Sequence, residues 1–151
     1  VSSTTVKPVA TLIANVIAGL SVTFPGGSAS VKAYTWDPGM DGFDALPAGV
    51  VGVPDIRRVS VDSPESQIGS RDWRMTYPVT FVFDLDVAAL AQDRVVDCVE
   101  AFIKAIDTDT LQASDGSIID AKVIAARPNV VMTDARPLLA YDCELELLKL
   151  V

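Results

Sequence analysis

The chain has 151 residues, half of them hydrophobic, with 12 basic and 20 acidic side chains and a net charge of −8. That is one domain's worth of sequence, read as a single unit over 1–151, with enough apolar residues for a core. It disfavours broad nucleic-acid binding, which needs clustered Lys and Arg to displace phosphate counterions. Histidine is absent, which removes the usual general base, the usual zinc ligand and every Ser-His or Cys-His nucleophile.

Val9, Leu12, Ile13, Val16, Ile17 and Leu20 recur at helical spacing and form one apolar stripe, with Thr11, Ala14, Asn15 and Ala18 on the other face. Pro8 suits the first turn of this helix, and Gly19 and the Pro25-Gly26-Gly27 run end it. The stretch VATLIANVIAGL falls short of the ~20 residues a bilayer-spanning helix needs, so no membrane is expected. No basic segment and cleavage site open the chain, so no export signal is expected either.

Alternation predicts a strand over 29–36, an acidic, turn-rich loop over 37–48 that exposes Met40 and Phe43, and a second strand within 49–62. Pro54 marks that second strand as an edge or bulged one. The most regular stretch is RDWRMTYPVTFVFDLD, residues 71–86. Trp73, Met75, Tyr77, Val79, Phe81, Phe83 and Leu85 alternate with polar or small residues, so this is the core strand, buried on one side. Pro78 lacks a ladder donor and demands a bulge or a free side.

A helix follows over 87–107, striped by Ala91, Val95, Val99, Phe102 and Ile106 and widened by Cys98 and Ile103. Two strands close the chain. In 118–127, Ile119, Ala121, Val123 and Ala125 share a face; in 137–150, Leu139, Tyr141, Cys143, Leu145 and Leu147 do. The order α-β-β-β-α-β-β predicts an α+β two-layer sandwich: a mostly antiparallel sheet of about five strands with both helices on one face.

Candidate chemistry is sparse. Asp84 and Asp86 could hold a divalent metal, but a plainer role suffices: a strand end, and a helix N-cap whose oxygen accepts from open amides. The acidic runs from Asp37 and from Asp107 both miss the calcium-loop pattern, and Gly26-Gly27 lacks the Lys of a phosphate loop. No metal, cofactor or catalytic residue is therefore assigned. Cys98 and Cys143, 45 positions apart, read as buried thiols rather than a metal cluster, with a disulfide as the lesser reading. Arg57, Arg58, Arg71 and Arg74 are a third of the basic residues within 18 positions, and arginine is the favoured basic residue of protein interfaces. Asp142, Glu144 and Glu146 form an acidic row on the exposed face of the last strand. Such a row needs compensation, for which the arginines of a neighbouring subunit would serve.

The sequence of segments resembles the tail terminator proteins of long-tailed phages. The resemblance rests on an amphipathic first helix, ALPAGVVGVPDI, YPVTFVFDLD, VVDCVEAFIKAID and the closing RPLLAYDCELELL. It implies a non-enzymatic virion subunit, assembled in the host cytoplasm, that forms a homo-hexameric ring. The ring caps the tail tube, stops its polymerisation and offers a surface to the head-completion protein. DNA passes through such a ring without specific binding, which suits an acidic lumen. On this view the arginines sit at a subunit interface, the acidic row lines the lumen or an interface, and Met40 and Phe43 belong to a partner-contact loop. A head–tail connector or minor capsid subunit is the nearest alternative, and a small Asp-based metal enzyme is the alternative from another class.

Overall fold

The structure, a computed structural model, describes residues 5–24, 27–36, 46–58, 72–84, 92–132 and 137–150. Helix α1 (Val6–Ala18) leads into a hairpin of β1 (Ser21–Phe24) and β2 (Gly27–Ser30), then β3 (Lys32–Thr35), β4 (Ala48–Val51) and β5 (Asp55–Arg58). β6 (Trp73–Asp84), α2 (Gln92–Asp107), the short α3 (Thr110–Ser114), β7 (Ile118–Met132) and β8 (Pro137–Lys149) complete the chain. The main sheet runs β3-β4-β6-β8-β7, with β5 also on β6; every pairing is antiparallel except β3 with β4. The architecture is the expected α+β sandwich. It differs in order: the stretch read as one strand over 29–36 breaks at Val31 into β2 and β3, and the first hairpin and α3 are additional.

β6 organises the core because its alternation is obeyed from Trp73 to Phe81, whereas Val82, on the outer side, is buried as well. Met75, Tyr77, Val79, Phe81 and Phe83 are buried against the helices, while Arg74 and Pro78 are exposed on the other side. Phe81 packs edge-on against Phe102 of α2, with ring centroids 5.1 Å apart. Tyr77 is fully buried and its hydroxyl donates to the Val6 carbonyl at 2.9 Å, which ties the start of α1 to the sheet. Burial pushes the Tyr77 phenol well above its usual range, so it stays protonated and remains a donor. The stripe of α1 is turned slightly from expectation: Ala10 and Ala14 are buried with Val9, Ile13 and Ile17, whereas Leu12 and Val16 sit at the margin. Small residues toward the sheet let α1 lie close, and Gly49 on β4 takes the same role. A Cβ at Gly49 would stand 2.5 Å from Ile17 Cγ2 and 3.3 Å from Phe81 Cε1.

Pro78 finds the free side that its missing amide requires. Its carbonyl accepts from the Gly52 amide at 2.8 Å, so its nitrogen faces the same neighbour, and there the partner strand is interrupted over Gly52–Pro54 between β4 and β5. In β7 two register shifts, at Ile118/Asp120 and Val123/Ala125, each add one residue and change which face follows. Ile118 and Ala121 are therefore buried and Val123 and Ala126 pack on the core, while Ile119, expected inside, is 49% exposed. Ala125, expected on the same face, instead stands opposite Glu144.

Cys98 and Cys143 are both free and buried. Burial raises their thiols to about 11 and about 12, with the Asp142 charge adding to the shift at Cys143. Both thiols are protonated and inert at neutral pH.

This packing makes two sites sensitive to substitution. Gly49→Ala overpacks the α1–sheet contact and should cost about 1–3 kcal/mol in denaturant unfolding. The second site is Lys149, only 9% exposed, whose ammonium donates to Asp115 and to the Ser117 hydroxyl. The Lys149 and Ser117 hydrogen bonds hold the Asp115 carboxyl at about 2. The unfolded carboxyl titrates near ~3.9. The contribution is thus complete above that range and is lost as pH falls through the folded value. Asp115→Asn should cost about 1.5–3 kcal/mol at neutral pH, and the gap between the two proteins should close as unfolding is followed into acid.

Candidate functional site

The outer face of the sheet, away from the helices, has two zones set by cross-strand register. At one end Ala48, Val50, Val82, Leu138 and Ala140 are buried, although they lie outside the cluster that packs on the helices. At the other end the face is charged. A groove of about 650 Å³ runs over it, lined by Asp55, Arg57, Arg58, Arg74, Thr76, Ile124, Glu144 and Glu146.

Antiparallel pairing of β5 with β6 sets Arg57 directly opposite Arg74, so two guanidinium groups share one bank, while Arg58, opposite Trp73, borders the groove from the strand's other side. On the other bank, alternation along β8 points Asp142, Glu144 and Glu146 the same way at about 7 Å steps. The sequence sets these two groups far apart; the β6–β8 ladder brings Arg74 and the acidic row onto neighbouring strands. Like charges directly opposite or adjacent on one face oppose folding by a few tenths to about 1 kcal/mol.

Relief comes partly from within the chain. Arg57 Nε contacts Asp55 at 3.3 Å, and Arg74 Nε lies 3.9 Å from Glu146. Thr80 donates to Asp142 at 3.2 Å. Lys122 and Arg127 of β7 stand in register with Glu146 and Asp142. The expectation that a neighbouring subunit compensates the whole acidic row is thereby narrowed, because two of its three members already face a cation or donor in their own chain. Glu144 is different. Its cross-strand neighbours are Pro78 and Ala125, neither of which can offer a side-chain hydrogen bond or a charge.

Sequence reading found the arginines and the acidic row but not Asp55, Thr76, Thr80, Lys122, Ile124 or Arg127. Their membership depends on strand register and on the bulge at Val123/Ala125, for which single-strand alternation carries no signal. Arg71, Met40 and Phe43 lie outside the described residues, as does Asp86.

Asp84 ends β6 in a half-buried position opposite Leu138, far along the strand from the groove. Among the described residues no three His, Cys, Asp or Glu side chains converge as metal ligands, and no helix is long and apolar enough to cross a membrane. What the outer face can do chemically is form ion pairs and hydrogen bonds with a surface that carries both signs of charge.

A metal role for Asp84 predicts stabilisation by a divalent ion. If Asp84 only ends the strand, adding magnesium, manganese or calcium leaves the melting temperature within about 1 °C, since binding stabilises only through differential affinity for the folded state. Glu144 is exposed, so Glu144→Gln should change stability by no more than about 0.5 kcal/mol. Neither a scan against protein-family models nor a search of curated proteins returns a match to this chain.

Proposed function

We propose that this chain is a structural subunit of a phage tail terminator. Copies of it assemble as a homo-hexameric ring on the end of the tail tube, stop its growth and present a surface for the head-completion protein. The role asks for self-association and docking rather than for bond-making, and it is supported by the resemblance in segment order together with one structural observation. That observation is the outer face: Arg57 and Arg74 across from Glu144 and Glu146, only partly neutralised within the chain, on a sheet whose opposite face is used by the core.

A charged, hydrophilic face of this kind is stable alone but gains from a partner that completes its ion pairs. The overall charge of −8 suits a channel that DNA crosses without being held, since repulsion of phosphate keeps the duplex off the wall. Arginines serve the joining of subunits, because the guanidinium fork binds carboxylates with fixed geometry and is weakly hydrated.

The direct experiment adds the purified protein to growing tubes of a cognate tail-tube protein and measures tube length by electron microscopy. Tubes should stop lengthening and carry a six-subunit ring at one end. Tubes that grow to the same length with the protein in excess, and with no density at their ends, would contradict the role.

A further inference from the structure

Seven large apolar side chains are exposed among the described residues, and six of them stand at the two lateral ends of the main sheet. β8 pairs with β6 along its whole length, so β4 and β5 share the other side of β6, with β3 beyond β4. At that end Val53, in the interruption between β4 and β5, is 73% exposed, and Ile56 of β5 is 43% exposed. At the opposite end are Ile119, Ile124 and Val130 of β7, with Leu150 beside them, its amide donating to the Ser117 carbonyl at 2.8 Å. The seventh, Val96, lies on α2.

The β7 end is built to show its apolar groups. Each of its two bulges leaves one residue out of the ladder, and both times that residue is an isoleucine, Ile119 and Ile124. A bulge re-aims the side chain it carries, and here it delivers the two isoleucines to solvent at 49% and 47% exposure. Ile124 lines the outer groove beside Glu144. Bulky apolar groups on the rim of a sheet mark a contact surface when they recur together.

The two ends differ in sign once neighbours within the chain are matched. Near Val53 and Ile56, Asp55 is held by Arg57 at 3.3 Å, while Lys32, opposite Ala48, and Arg58, opposite Trp73, have no acid across the ladder. Toward β7, Lys122 faces Glu146 and Arg127 faces Asp142, while Asp120, opposite Leu148, and Glu144, between Pro78 and Ala125, have no cation directly across. One end therefore joins apolar groups to spare cations, and the other joins apolar groups to spare carboxylates. Two copies brought together by like ends would oppose charges of one sign; the complementary fit sets unlike ends together. A contact of that kind is head to tail, and it closes into a ring when its rotation allows.

Backbone pairing is a poor means of joining these ends. Pro128 has no amide hydrogen, and the Val130 amide is taken by the side chain of Asn129 at 2.9 Å. Such features blunt an edge against strand addition, so copies meet through side chains.

We propose that the β7 margin of one copy docks on the β3–β5 end of the next, with Ile119 and Ile124 packed against Val53 and Ile56. The contact rests on the ring reading above and assigns the two surfaces that such a ring would join.

Native mass measurement and sedimentation over a concentration series test this with three variants: I124N at one end, I56N at the other, and V96N on α2 as the control. Circular dichroism establishes that each is folded. Wild-type protein should associate as concentration rises, and I124N and I56N should each weaken association at least about tenfold, as loss of an apolar anchor does. V96N should leave it unchanged. Where each variant alone is monomeric, mixing I124N with I56N should give a two-chain species and nothing larger. The intact β7 margin of the I56N copy then meets the intact β5 end of the I124N copy, and both remaining ends are damaged. A wild-type chain that stays monomeric at every concentration, or a mixture with no two-chain species, would overturn the proposal. Failure of the ring reading looks different: open wild-type chains that lengthen without a closed six-chain particle would keep this contact and contradict the ring. Six-chain particles untouched by I124N and I56N would keep the ring and overturn this contact.

Discussion

The whole molecule depends on the inward burial of β6. Its inward residues from Met75 to Phe83 supply the floor on which both helices rest, and Phe81 is where the two packings meet. Phe102 of α2 reaches it edge-on, and Ile17 of α1 comes down beside it over the bare backbone of Gly49. Close packing at such a junction makes each partner's position a condition for the others, because interiors have no slack to absorb a misplaced methyl group. With the inner face committed in this way, the opposite face is the one left to carry function.

That outer face is organised by the same ladder. The β6–β8 register that aligns Tyr77 with Leu145 and Val79 with Cys143 inside also sets Thr76 beside Glu146 and Thr80 beside Asp142 outside. Pro78 lies between them, opposite Glu144, and turns its missing donor toward the gap between β4 and β5. Arrangement inside and charge outside are therefore a single constraint, since a one-residue slip in this pairing would exchange the two faces. The missing donor at Pro78 is matched by the interruption of the neighbouring strand, and the apolar side chains of Pro78 and Ala125 offer Glu144 no hydrogen bond.

Much of this was legible in the sequence. Alternation over 73–83 and the apolar stripe of α2 each follow from a single period, and burial obeys them except at Val82, which is buried on the outer side. The reading failed where the period changes within an element. The two bulges in β7 moved Ile119 out and Ile118 and Ala126 toward the core, and no residue type in that segment announces them. It failed again where small residues pack closely, as at Ala10 and Ala14, which look neutral on a helical wheel yet set how near α1 can lie. The charged groove was half visible: its arginines and carboxylates stand out by composition, but that they share one face follows only from strand pairing.

The central claim is that the outer face is covered when the protein assembles and the helical face is not. Carboxyl labelling with a carbodiimide and a small amine, resolved by residue and followed from dilute to concentrated protein, tests it directly. Glu144 and Glu146 should become protected as concentration rises, while Asp93, Asp97 and Glu100 on the exposed side of α2 keep their labelling. Protection that grows on α2 instead, or labelling of Glu144 that never changes while the protein assembles, would contradict the claim.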